Sequence, residues 1–171
     1  AYALAADPNA RPAIAVTSRR HSAFVSSLDA YRQVVTYDAI EAVDASLSTV
    51  IVDMSGNRDV LNQLQAHLGE QLKRCINVGL THWDTTTDIG PIADRSEFFF
   101  APSHIQRRMK EWGVDEFSAK SSAFLRNTAV KSQRWLEIVR LSGLEGLAEV
   151  YADACEGCLA PNQGLIVEMP S

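Results

Sequence analysis

The sequence predicts an α/β domain built on a parallel sheet, and three observations predict it. Short apolar runs rich in β-branched residues recur at 13–17, 33–38, 48–56 and 74–80. Near-continuous runs of this kind mark strands covered on both faces. Amphipathic stretches lie between some of them, and the order strand, helix, strand, strand, helix, strand is that of a parallel α/β sheet.

The elements follow in order. "AYALAAD" (1–7) reads as the last turns of a helix, with Pro8 marking its exit because proline cannot continue a helix interior. Ala13 to Thr17 form the first strand, and Phe24, Val25 and Leu28 mark a helix over 22–28. "QVVTYD" (33–38) is the second strand and "STVIVDMSG" (48–56) the third, stopped by Gly56. Asn57 caps the following helix, whose inner face carries Val60, Leu61, Leu64 and Leu68. "RCINVGL" (74–80) is the fourth strand. Residues 81–97 are polar and loop-like, and "EFFFAP" (97–102) is a short aromatic strand stopped by Pro102. Ser103 caps a helix carrying Ile105, Met109 and Trp112 at four- and three-residue steps, and a second helix spans roughly 119–141 with Trp135, Ile138 and Val139 inward. Leu144, Leu147, Ala148 and Tyr151 mark the last helix, and "NQGLIVEM" (162–169) closes with a strand.

At 171 residues the chain suits a single domain over 1–171, with no linker composition to divide it. The net charge of −5 carries no basic footprint, which argues against a nucleic-acid partner. No apolar stretch approaches a membrane span, and no signal-peptide pattern opens the chain. Three cysteines make no disulfide framework, so a cytoplasmic protein is the default expectation.

In open parallel sheets, ligands bind beyond the carboxyl ends of the strands. The residues to weigh there are Thr17-Ser18-Arg19-Arg20, Ser55-Gly56-Asn57 and Gly79-Leu80-Thr81. Dinucleotide folds often place an acid after the second strand for the ribose 2′-hydroxyl, and basic residues where a 2′-phosphate must fit. Ser18, Arg19 and Arg20 supply the second pattern, since a guanidinium fork gives paired charge-assisted bonds to phosphate. That reading points to NADP. The alternative is a solvated helix start, at a cost of roughly 0.3–1 kcal/mol against the helix dipole.

The run from Ala13 to Leu80 resembles the latter part of the nucleotide-binding domain of medium-chain dehydrogenases/reductases, on their zinc-independent, quinone-oxidoreductase-like side. "AIAVTSRRHSAFVSSLDAYRQVVTYD", "VIVDMSGN" and "RCINVGLTHW" carry the resemblance, in order and spacing. "VTYD", "VDMSGN" and "VGLTHWD", with "FFFAP" and Trp112-Gly113, resemble a branch described as a domain of unknown function. The resemblance covers most of the chain and is weakest over 114–142. It implies a Rossmann-like fold in which Ser18, Arg19, Arg20 and Tyr37 surround the adenosine 2′-phosphate. Ser55, Gly56, Gly79, Leu80 and Thr81 would line the path to the nicotinamide. Asp29 stands where the family usually has glycine, a mild departure because aspartate tolerates a left-handed turn.

The larger departure is that no G-x-G-x-x-G occurs anywhere in the chain. By the resemblance, the sheet lacks its first strand and Gly-rich turn, which would precede Ala1. The missing strand would lie mid-sheet, leaving open apolar edges. The catalytic domain would lie upstream as well, so this segment is expected to be inactive alone.

Other chemistry is less supported. Cys155-x-x-Cys158 has the spacing of a redox pair or half a zinc site, but two further ligands are not evident and Cys155 falls near a helix end. Structural or incidental cysteines are the expectation, with no metal. His82-Trp83-Asp84 reads either as a proton shuttle with a stacking ring or as a packed loop. Met54, Met109, Trp112 and Trp135 read as core, and no G-x-S-x-G turn supports a hydrolase. The expected function is the NADP-binding part of an oxidoreductase passing hydride between NADPH and a carbonyl, enone or quinone. Its partner is a small-molecule substrate, the sequence is compatible with a homo-oligomer, and no catalytic residue is assigned. The alternative is a non-catalytic Rossmann-like interaction module.

Overall fold

A computed structural model describes residues 1–78 and 95–169. The elements run α1 (Tyr2–Ala6), β1 (Ile14–Thr17), α2 (Ser22–Ser27), β2 (Gln33–Thr36), β3 (Thr49–Asp53), α3 (Arg58–Leu68), β4 (Leu72–Asn77), β5 (Ser96–Phe98), α4 (Ala101–Trp112), α5 (Val114–Ser132), β6 (Glu137–Ser142), α6 (Gly143–Cys155) and β7 (Gln163–Glu168). Short 3-10 turns follow β1 at Arg19–His21 and β2 at Tyr37–Ala42. The fold is α/β, with parallel strands and flanking helices. Among the described residues no helix is long and apolar enough to cross a membrane.

Three sheets are formed: β1-β2, β3-β4-β5 and β6-β7. The chain's contacts gather in two units, one of Ala1–Ala15, Arg20–Val34 and Ala119–Ser171, the other of Val16–Arg19 and Val35–Ser118.

The second unit owes its packing to the α3 crossover. Asn57 Oδ1 accepts from the Val60 amide at 3.2 Å, satisfying one of the free N–H groups at the helix start. Leu64 and Leu68 then bury the apolar face of α3 against Val35, Ile40, Val43 and Leu72. Gly69, at φ 51°, ends the helix in a conformation that side chains rarely adopt. The chain reverses there into β4, which pairs parallel with β3 through Ile51↔Cys75, Val52↔Ile76 and Asp53↔Asn77. A helix between two parallel strands is the usual form of the long crossover such a pair requires. His67 Nε2 lies 2.7 Å from the Val43 carbonyl, tying α3 to the turn after β2. Arg95 reaches the Gly69 and Leu72 carbonyls and the Glu70 carboxylate, fixing the approach to β5. β3 is an edge strand among the described residues, and its Val50 and Val52 are 54% and 56% exposed.

In the first unit, β6 and β7 pair parallel from Glu137↔Gln163 to Ser142↔Glu168, with α6 as crossover. Gly146 sits where an added Cβ would come within 3.3 Å of Leu141, so helix and strand approach closely there. Tyr2 of α1 accepts a hydrogen bond from Trp135 Nε1 at 2.6 Å, and the Phe24 ring meets Trp135 edge-on at 5.5 Å.

The strands at 13–17, 33–38, 48–56, 74–80 and 162–169 and the Asn57 cap stand close to expectation, although 79–80 lie outside the described residues. Four expectations are corrected. Residues 137–142 are a strand, because β7 supplies the ladder partner that Ile138 and Val139, as β-branched residues, suit. α4 begins at Ala101 with Pro102 in its first turn, where proline loses no intrahelical bond. Ser103 Oγ donates back to the Phe100 carbonyl and does not accept from a helix amide. Met54, Trp112 and Ile138, expected inward, are exposed among the described residues, and the Arg108 guanidinium lies over the Trp112 ring at 5.1 Å.

Leu72 is 1% exposed at the junction of α3 and β4. Leu72→Ala should cost about 2–5 kcal/mol by leaving a cavity in this cluster. Val52→Ala, on the open side of β3, should cost less than about 1 kcal/mol. Urea unfolding of the two variants checks both.

Candidate strand-end site

The carboxyl end of β1 runs directly into Ser18 and the 3-10 turn at Arg19–His21. The Arg19 guanidinium pairs with Asp38, the second residue of the turn that follows β2. Through that contact Arg19 is joined to the segment opened by Tyr37, which is half-buried. Both members of the pair remain open to solvent, at 82% and 53% of their side-chain surface. The Thr36 hydroxyl, and after it the Arg19 guanidinium, hold the Asp38 carboxyl below the ordinary carboxylate range. Ser18 Oγ is buried with no hydrogen-bond partner among the described residues. A hydroxyl in that condition lacks an acceptor that native structures nearly always supply.

Arg20 has a different task. Its guanidinium donates to the carbonyls of Cys158 at 3.0 Å and Gly157 at 3.4 Å, within the first unit. Adjacent arginines at one strand end thus hold two different groups, a carboxylate and a pair of carbonyls. Ser18, Arg19 and Tyr37 belong to the second unit and Arg20 to the first.

The glycine turn after β3 is organised by Asp53, which is buried at 7% exposure. Its Oδ1 accepts from the Ser55 amide at 2.9 Å and the Ser55 hydroxyl at 3.2 Å, and the Gly56 amide reaches both carboxylate oxygens at 3.0 Å. Gly56 has φ 70°, which explains glycine at this point. The amides of Ser55 and Gly56 are therefore satisfied from within the chain. Sequence reasoning singled out Ser55 and Gly56 but passed over Asp53. The signal was available in "VDMSGN": an aspartate two and three residues ahead of turn amides folds back onto them. Gly79, Leu80 and Thr81, with His82, Trp83 and Asp84, lie outside the described residues.

A further cleft of about 460 Å³ opens at the carboxyl ends of β6 and β7, lined by Ser142, Gly143, Leu144, Glu145, Glu168 and Met169. Strand, glycine turn, helix and strand follow one another here, but the lining holds two carboxylates. Glu168 pairs with Arg140, and Glu145 lies in the first turn of α6. Acidic side chains at this position favour the helix dipole themselves and repel an incoming phosphate. Sequence reasoning missed this cleft because the strand at 137–142 was assigned to a helix. Among the described residues no group of three or more His, Cys, Asp or Glu side chains could hold a metal ion.

Residues 1–160 match the model of a protein family described as "Protein of unknown function (DUF2855)". No curated protein and no solved structure matches the chain.

Asp38 should titrate below the ordinary carboxylate value by carbon-detected NMR. Thr36→Val should raise its midpoint more than Arg19→Ala does, because the hydroxyl is the larger cause. A carboxylate depressed by folding stabilises above its unfolded pKa and loses that contribution as pH falls through its folded value. The Arg19–Asp38 contact should therefore be constant above about pH 5 and disappear only in acid. Asp53→Ala should cost roughly 1–3 kcal/mol in urea unfolding by leaving the turn donors unpartnered, and Asp53→Asn less, since one oxygen stays as acceptor.

Proposed function

The chain belongs to the DUF2855 family, and we propose that it supplies the NADP-binding part of a zinc-independent oxidoreductase acting on a carbonyl, enone or quinone. The observation that carries this reading is the end of β1. An exposed guanidinium at Arg19 stands next to a buried hydroxyl at Ser18 that lacks a partner. A phosphate monoester suits that combination: the guanidinium fork takes two of its oxygens, and the hydroxyl finds an acceptor. Tyr37, at the start of the turn that Asp38 ties to Arg19, is the neighbouring ring.

In this reading the chain binds and orients, and NADPH supplies the hydride. Arg19 holds the 2′-phosphate after giving up Asp38, so Asp38 competes with the ligand for the same fork. That competition keeps the guanidinium oriented and lowers affinity. Arg20, occupied by the Gly157 and Cys158 carbonyls, contributes less than Arg19. Ser55 and Gly56 offer the nicotinamide half a glycine surface, since their amides already bond Asp53. Gly79, Leu80 and Thr81 complete the set that the resemblance implies.

A second reading, a non-catalytic Rossmann-like interaction module, is favoured by the open apolar side of β3. Val50, Val52 and Met54 are each more than half exposed there. NADPH consumption across a panel of quinones and enones separates the two readings.

Arg19→Ala should weaken NADPH binding by about 1.5–3 kcal/mol, roughly ten- to hundredfold, and leave NADH nearly unchanged. Asp38→Asn should tighten NADPH by removing the competitor. Fluorescence titration of both cofactors against the three proteins measures this, and equal losses for NADPH and NADH in Arg19→Ala overturn the assignment.

A further inference from the structure

We propose that Cys155 and Cys158 form a reversible dithiol–disulfide site on the turn that closes α6, oxidised by a hydroperoxide. The two thiols are free and exposed, whereas Cys75 is buried in β4.

The two thiols flank a tight turn with a defined backbone. Cys155 is the last residue of α6, Glu156 is right-handed at φ −83° and ψ −2°, and Gly157 is left-handed at φ 66°. The Cys158 amide donates to the Asp153 carbonyl at 2.8 Å and the Gly157 amide to the Ala154 carbonyl at 3.3 Å. These two bonds are the paired closure of a helix by a left-handed glycine. A disulfide here requires the Cys155 and Cys158 Cα atoms to stand roughly 4.4–6.8 Å apart, a separation of the order that a four-residue turn spans.

One side chain holds the turn and another touches a thiol. Arg20 clamps the carbonyls of Gly157 and Cys158 from outside the helix. Tyr151, one turn back, hydrogen-bonds Cys155, a contact that holds the phenol proton above its ordinary range. The thiols thus sit on a restrained turn, and the left-handed residue between them is a glycine, which bears that conformation without strain.

The reaction balances with a hydroperoxide as oxidant. One thiolate attacks the peroxide oxygen, the O–O bond breaks, and the leaving oxygen departs as water or an alcohol. The second thiol attacks the resulting sulfenic sulfur, the S–S bond forms and the S–O bond breaks, releasing water. The two sulfurs lose two electrons and two protons in total, and the peroxide is reduced. A thiol reductant reverses the change by exchange.

The test treats the full chain with hydrogen peroxide, alkylates it under denaturing conditions and maps its peptides by mass spectrometry. The expected product joins Cys155 to Cys158 within one chain, two hydrogens lighter, with Cys75 alkylated and all three thiols restored by dithiothreitol. Cys155→Ser and Cys158→Ser should each abolish the intrachain product, and their retained secondary structure by circular dichroism shows that folding is not the cause. Separate sulfinic acids on both cysteines, disulfides only between chains, or three thiols still alkylated would each overturn the proposal.

Discussion

The packing of α3 under β3 and β4 is the constraint from which the second unit is built. Parallel strands cannot be joined by a tight turn, so β3 and β4 need a long crossover, and α3 supplies it. Leu64, Leu68 and Leu72 make that return favourable by burying one helical face and the first residue of β4 in a single cluster. Val35 and Ile40 belong to the same cluster and anchor β2 and the turn after it. The turn so anchored carries Tyr37 and Asp38, and Asp38 holds Arg19. A few apolar side chains therefore set where the candidate ligand groups stand.

Acidic groups at strand ends are a recurring feature, and they do two different jobs. Asp38, just past β2, pairs with Arg19 at the surface. Asp53, the last residue of β3, is buried and spends its oxygens on the Ser55 and Gly56 amides. Glu168, the last residue of β7, meets Arg140. Burial decides the difference. An exposed carboxylate keeps a mobile partner that a stronger anion can displace, whereas a buried one must satisfy its oxygens locally and so fixes backbone. Among the described residues the β1–β2 and β7 ends thus carry exposed ion pairs, whereas the β3 end is internally satisfied by Asp53.

The residues that sequence reasoning placed well share one property: their signal is local. Asn57 caps α3 because its side chain and the Val60 amide are three residues apart. Val60, Leu64 and Leu68 lie on one face because a helix repeats every 3.6 residues. The misplaced residues depend on distant partners. Trp135, Ile138 and Val139 fit helical spacing as well as they fit β alternation, and only β7, pairing Ile138 with Gly164 and Val139 with Leu165, decides between them. Ser18 and Arg19 were legible as a polar strand end, but neither the Asp38 partner nor the separate seat of Arg20 could be read from spacing.

The sequence by itself determined the α/β class, the order of strands and helices through 77 and the glycine positions, because these follow from periodicity, capping and backbone sterics within a few residues. Tertiary structure alone decided that adjacent arginines serve different groups, that Asp53 organises the turn after β3, and that Cys155 and Cys158 face solvent. Each of those depends on which groups share a neighbourhood after folding. Charge pairing and burial act through space, over separations in the chain that no local pattern records.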